Sequence, residues 1–101
     1  MNELEKFEQE VTERINSYEG DTTMKNISQE WIEQSMRKKY MYNYKWMGRP
    51  IIQYPEDILA MQEIIWETKP DLIIETGIAH GGSIVFSASM LELIGGDGLV
   101  V

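Results

Sequence analysis

Apolar residues near the start of the chain recur at Leu4, Phe7, Val11 and Ile15, spaced by three, four and four. That period predicts an amphipathic helix over residues 2–17. Asn2 can cap it, and Glu5 suits its positive end. Glu3, Glu8, Glu10 and Glu13 cover the remaining surface. Such a helix can pack on its own domain, on a dimer mate, or on a separate partner. Its acidic face opposes an anionic membrane surface. Residues 18–27 read as a connector, with turn chemistry at Gly20, Asp21, Thr22 and Thr23. Ser28 then caps a second helix from Gln29 to near Lys39, with Trp31, Ile32, Ser35 and Met36 on one side. Arg37, Lys38 and Lys39 fall in its last turn, where cations suit the helix dipole. The same triplet could instead hold a phosphate or an acidic substrate.

Periodicity lapses over residues 40–53. Tyr40, Tyr42, Tyr44 and Trp46 alternate as in a strand with one aromatic face, but Gly48 and Pro50 argue for an irregular segment with a turn. The stretch either covers a ligand or packs its rings on the domain surface. A third helix opens at Tyr54-Pro55-Glu56-Asp57, where proline and acids suit the first turn. Its buried side is Ile58, Met61 and Ile65, with Leu59 and Trp66 beside them, and Lys69-Pro70 ends it.

Residues 71–94 organise the rest. Leu72, Ile73 and Ile74 form a short apolar run, read as a buried strand, that closes on Glu75 and Thr76. Gly77, Gly81 and Gly82 mark a sharp turn, and Ser83 reads as the cap of a helix whose apolar positions are Ile84, Ala88 and Leu91, widened by Val85. Gly95 and Gly96 end that helix. Strand, glycine turn and helix place free backbone N–H groups above the carboxyl edge of a sheet, where open α/β sheets bind ligands. The spacing is E-x-G-x-x-x-G-G-S, not the G-x-G-x-x-G of a dinucleotide site. An acid two places before the first glycine suits an S-adenosylmethionine-type ligand, which carries an amino acid end and no pyrophosphate. The alternative is a purely structural turn. Leu99-Val100-Val101 reads as the start of a second strand, so the chain is expected to be truncated there and less stable than a whole domain.

The 101 residues allow one small domain at most, and their net charge is −8. Phosphate backbones repel such a chain, so nucleic acid is not an expected partner. No apolar stretch approaches the ~20 residues of a membrane span, and no signal peptide is visible, so cytoplasmic residence is the expectation. With no cysteine and one histidine, His80, the segment offers no thiolate or histidine metal site.

Taken together, Trp46-x-Gly48, Gln53-x-Pro55-x-Asp57, Asp71 through Gly77, and Gly81-Gly82-Ser83 resemble the cephalosporin hydroxylase family, also described as the rhamnosyl O-methyltransferase family. The resemblance covers residues 44–101. It implies an α/β fold: the N-terminal part of a Rossmann-like class I methyltransferase domain over 44–101, truncated at the second strand and preceded by a helical lead-in over 1–43. It implies S-adenosylmethionine as cofactor, with Glu75, Thr76 and Gly77 lining its amino acid portion and Gly81, Gly82 and Ser83 meeting it at the helix start. Trp46, Gln53 and His80 are further candidates for the cleft, His80 as a solvated loop histidine or as a general base. The acid that would hold the cofactor's ribose and the carboxylates for a divalent metal such as magnesium are expected beyond Val101, so no catalytic or metal residue is placed here. The implied reaction is O-methylation of a small-molecule or sugar hydroxyl by a protein of which this chain is an inactive N-terminal piece. The alternatives are a hydroxylase of cephalosporin-type antibiotic biosynthesis, for which no haem, iron or dinucleotide signature is present, and a non-catalytic module that forms homo-oligomers through its N-terminal helices.

Overall fold

Asn2 begins the first helix as its composition requires. Its side chain accepts from the Glu5 backbone N–H at 2.8 Å, and Glu5 returns the bond to the Asn2 N–H at 3.1 Å. This reciprocal box satisfies two of the donors that a helix start leaves open. The computed structural model describes all 101 residues, in two compact units, Met1–Ser35 and Met36–Val101.

The first unit holds α1, Glu3–Tyr18, and most of α2, Thr22–Arg37. The second helix starts earlier than Ser28, because Asp21 accepts from the Met24 N–H at 2.9 Å and so caps it. The expected connector shrinks to a tight turn, and Arg37 is the last helical residue. The apolar stripe of α1 forms as expected, but none of its residues is fully buried, and Leu4, Phe7 and Ile15 are exposed.

In the second unit the segment read as irregular is ordered. A single 3-10 turn, Tyr40–Tyr42, leads into β1, Tyr44–Trp46, which pairs antiparallel with β2, Arg49–Ile51. Met47 and Gly48 form the two-residue link, both with positive φ, 48° and 83°. That is the handedness of a type I′ hairpin turn. Methionine is an unusual residue there, which is why the hairpin escapes the sequence pattern. Pro50 sits in β2 opposite Lys45.

Next comes α3, Pro55–Thr68, with proline in its first turn, followed by β3, Leu72–Ile73. Of the side chains expected inside α3, Ile65 is buried and Ile58 half-buried, whereas Met61, Leu59 and Trp66 are exposed. The Lys69 ammonium lies 3.4 Å from the Trp66 ring centroid. Strand β3 pairs in parallel with β4, Leu99–Val100, in the register Leu72 to Leu99. It is not a buried strand: Leu72 and Ile74 are exposed, and Ile73 packs on the core. Successive strand side chains point to opposite faces, and here one face carries the core.

Helix α4, Gly82–Ile94, lies against the hairpin. Its N-cap is Gly81, at φ 84°, not Ser83, which lies inside the first turn. Its buried side is Gly82, Phe86, Ser87 and Leu91, so the expected Ile84–Ala88 stripe is displaced and Ala88 is exposed. The cause is close packing. A Cβ added to Gly82 would stand 2.3 Å from the Pro50 carbonyl oxygen and 2.8 Å from the Ile51 Cβ. The helix therefore meets β2 backbone to backbone, and small residues rather than large apolar ones mark the contact. Ile51, Ile65 and Phe86 form the core, with Tyr44, Trp46, Ile58, Ile73, Met90 and Ile94 packed around them. Trp46 meets Phe86 edge-on at 4.9 Å between ring centroids and donates its Nε1–H to Ser89 Oγ at 3.1 Å.

Candidate functional site

The loop from β3 to α4 is fixed at both ends. At its start the Glu75 N–H donates to the Val101 carbonyl at 3.0 Å, and the Val101 N–H donates to Ile73 at 2.9 Å, extending the parallel ladder. At its end Gly82 abuts Pro50. Between these points Gly77, Ala79 and Gly81 have φ of 86°, 48° and 84°. The Gly81 N–H closes a tight turn onto the Ile78 carbonyl at 2.8 Å. Alanine at positive φ is costly, and glycine at 81 makes the last left-handed step readily accessible.

Glu75 stands at the centre of this arrangement. Ser83 donates its hydroxyl to Glu75 Oε1 at 2.8 Å, and Ser87, one helical turn on, donates to the same oxygen at 3.2 Å. A cleft of about 290 Å³ opens between the β2 end and the glycine turn, lined by Ile51, Ile52, Gln53, Glu75, Thr76 and Gly77 among others. A second, of about 340 Å³ and more apolar, lies between α3 and α4, lined by Ile58, Met61, Ile64 and Phe86 with Gln53, Asp57 and Glu75. Glu75, Gln53 and Ser83 line both. A Cβ at Gly77 would meet nothing within 4 Å.

The residues singled out from the sequence divide accordingly. Glu75, Thr76, Gly77, Gly82, Ser83 and Gln53 line the first cleft. Gly81 caps the helix beside it, 3.7 Å from the Arg49 guanidinium if a Cβ is added. Trp46 lines neither cleft, since its ring and N–H are taken up by Phe86 and Ser89. His80 is exposed and lines neither; its carbonyl accepts from Arg49 at 3.4 Å. Ser87 was not legible as a site residue, because its place inside an apolar helix reads as a gap in the stripe. Its signal is the four-residue spacing from Ser83, which puts both hydroxyls on one helix face. No group of three or more His, Cys, Asp or Glu side chains is arranged to hold a metal ion.

Tyr40, Tyr44 and Tyr54 cluster together, and no tyrosine of residues 40–54 lines either cleft. Tyr44 donates its hydroxyl to Tyr40, whose ring lies edge-on at 5.4 Å and beside Tyr54 at 6.1 Å. The bond to Tyr40, then burial, then the negative charges of Tyr40 and Glu56 push the Tyr44 hydroxyl up to about 12.

With this geometry in hand, the comparison with known proteins is decisive for the family. The profile of the rhamnosyl O-methyltransferase/CmcI family matches residues 38–101, well over half of the chain. The chain belongs to that family. The matched segment begins just before the tyrosine cluster and contains the hairpin, α3, the glycine turn and α4. Among curated proteins, the rhamnosyl O-methyltransferase of Mycobacterium leprae (strain TN) is 35% identical over 69 residues, covering 63% of this chain and 30% of the relative. The chain therefore spans about a third of that relative's length. No solved structure matches it. Within this rhamnosyl O-methyltransferase/CmcI segment, Glu75, Ser83 and Gln53 face both clefts, and Ser87, bonded to the same carboxylate, faces the second. No helix is long and apolar enough to cross a membrane.

Proposed function

We propose that this chain forms the N-terminal part of a Rossmann-like class I methyltransferase domain and supplies one wall of an S-adenosylmethionine site. The protein would transfer a methyl group to a hydroxyl of a sugar or other small molecule, in a cytoplasmic setting. The reading rests on family membership together with one observation: the β3 strand ends in a carboxylate that two helix hydroxyls hold at the junction of two clefts. The fit to the cofactor is chemical. The first cleft offers a carboxylate for an ammonium, open space over Gly77, and apolar walls at Ile51, Ile52 and Ile78.

When bound, the cofactor supplies an electrophilic methyl on a sulfonium. The residues of this chain do the positioning, which is where much of the rate advantage of a transfer between two bound groups arises. Glu75 accepts a hydrogen bond from the amino acid end. Gly77 would let that end approach the backbone, and Ile51 and Ile52 would give the cleft an apolar side. The acceptor site, the acid that holds the ribose and the carboxylates for a divalent metal are assigned to sequence outside these residues. In keeping with that division, the 101-residue piece alone would be inactive. The open stripe of Leu4, Phe7 and Ile15 on α1 also supports self-association through the N-terminal helices.

Calorimetric titration of the full-length protein with S-adenosylmethionine tests the proposal. Binding is expected, weakened about tenfold or more in Glu75→Gln because a charge-assisted bond is lost. A folded protein that ignores millimolar cofactor would remove the reading.

A further inference from the structure

Ser87 sits in the middle of α4 and is only 3% exposed, beside Phe86. Burying a hydroxyl costs free energy unless it finds a partner. The usual partner for a serine in a helix is the carbonyl one turn back. Ser89, two residues on, takes that option, donating to Val85 O at 2.7 Å. Ser87 donates across to Glu75 Oε1 at 3.2 Å, the oxygen that Ser83 already contacts at 2.8 Å. Two protons thus converge on one oxygen, and Oε2 carries neither bond.

This asymmetry has a chemical consequence. A glutamate has several rotatable bonds, and holding it in one orientation costs entropy. One hydrogen bond leaves the carboxylate free to swing about the bonded oxygen, whereas two bonds from adjacent turns of a rigid helix define its plane. Because both bonds use Oε1, the second oxygen keeps its full capacity as an acceptor. We infer that Ser87 is a positioning residue for Glu75, holding the carboxylate so that Oε2 is presented to the ammonium of the ligand's amino acid end. The inference rests on the proposed function above, since it assigns to Ser87 a share in binding that same end of the cofactor.

The test uses two ligands that differ at that end: S-adenosylmethionine and 5′-methylthioadenosine, which keeps the nucleoside and the methyl-bearing sulfur but lacks the amino acid and, with it, the sulfonium charge. Dissociation constants are measured by calorimetry for the full-length wild type, Ser87→Ala and the control Ser89→Ala, whose hydroxyl donates to Val85 O, accepts from Trp46 Nε1–H and makes no bond to Glu75. Circular dichroism checks the fold, and alanine is well tolerated in a helix. Ser87→Ala is expected to weaken S-adenosylmethionine binding about 5- to 10-fold, the scale of one net hydrogen bond. Its effect on 5′-methylthioadenosine should stay below about twofold, and Ser89→Ala should leave the two ligands equally affected. Equal losses for both ligands in Ser87→Ala would show a merely structural role and overturn the inference. So would unchanged binding of both. A wild-type protein that binds neither ligand would overturn the inference and the proposed function together. A wild type that binds S-adenosylmethionine and a Ser87→Ala variant that does so equally well would overturn the inference alone.

Discussion

The close approach of α4 to β2 can be tested with a single methyl group. In Gly82→Ala the new Cβ would lie 2.3 Å from the Pro50 carbonyl oxygen and 2.8 Å from both the Pro50 carbonyl carbon and the Ile51 Cβ. None of these atoms is the far end of a flexible side chain, so the helix start must retreat from the hairpin by roughly 1 Å to restore ordinary contact. Overpacking of this kind costs about 1–3 kcal/mol. Alanine recovers up to about 1 kcal/mol over glycine in a helix. The rigid obstacle favours the upper end of the first figure, so the net destabilisation should be about 2 kcal/mol. For a chain of this size that lowers Tm by about 10 °C. Urea and thermal unfolding followed by tryptophan fluorescence provide the assay, because Trp46 packs on Phe86 of α4. The matched control is Gly20→Ala, where a Cβ would meet nothing within 4 Å and whose effect should stay within about 0.5 kcal/mol. A Gly82→Ala protein as stable as the wild type would refute the backbone-to-backbone contact between α4 and β2.

Three further outcomes follow from the same structure. Tyr44 loses its proton only near pH 12, against 10.0 for a free tyrosine, chiefly because that proton bonds Tyr40. A folded value above the unfolded one means that this stabilisation is complete below pH 10 and is lost as pH rises through about 12. Spectrophotometric titration should show this late tyrosine return toward the ordinary range in Tyr40→Phe; an unchanged titration would contradict the assignment. Trp46→Phe removes the Nε1–H bond to Ser89 and some contact with Phe86, and should cost about 1–2 kcal/mol in chemical denaturation. Asn2→Ala breaks the reciprocal cap of α1 and should cost about 1 kcal/mol of helix stability, read as frayed amide exchange over the first turn.

How much of this was legible in the sequence depended on how local the cause was. Asn2 with Glu5, and Pro55 with two acids behind it, mark their helix starts through contacts within one turn, and both helices begin there. The strand, glycine turn and helix around Glu75 were legible for the same reason. Ser28 misled because Asp21 offers an equally good cap seven residues earlier, and nothing local stops the helix from starting there. The β1–β2 hairpin was hidden because Met47 stands where an asparagine or glycine would announce the turn. The buried side of α4 was misplaced because a segment far away in sequence decides it: Pro50 presses on Gly82 and Glu75 draws Ser87 inward. The clefts needed those same long-range contacts. Glycines and serines at an interface carry no apolar signal, although they are what the packing selects.

The alternating hand of the main chain from Gly77 to Gly81 is a conformation that an unattached peptide would seldom visit. It survives because one tether runs to Val101 and the other abuts Pro50. Loosening either anchor would let the five residues unwind toward extended geometry, at a gain in freedom and a relief of the alanine's torsional cost. The shape of the first cleft is thus indexed to events in the hairpin, whose Pro50 and Ile51 line the same recess. Damage to that hairpin should therefore disturb the recess and the core together, since Ile51 belongs to both.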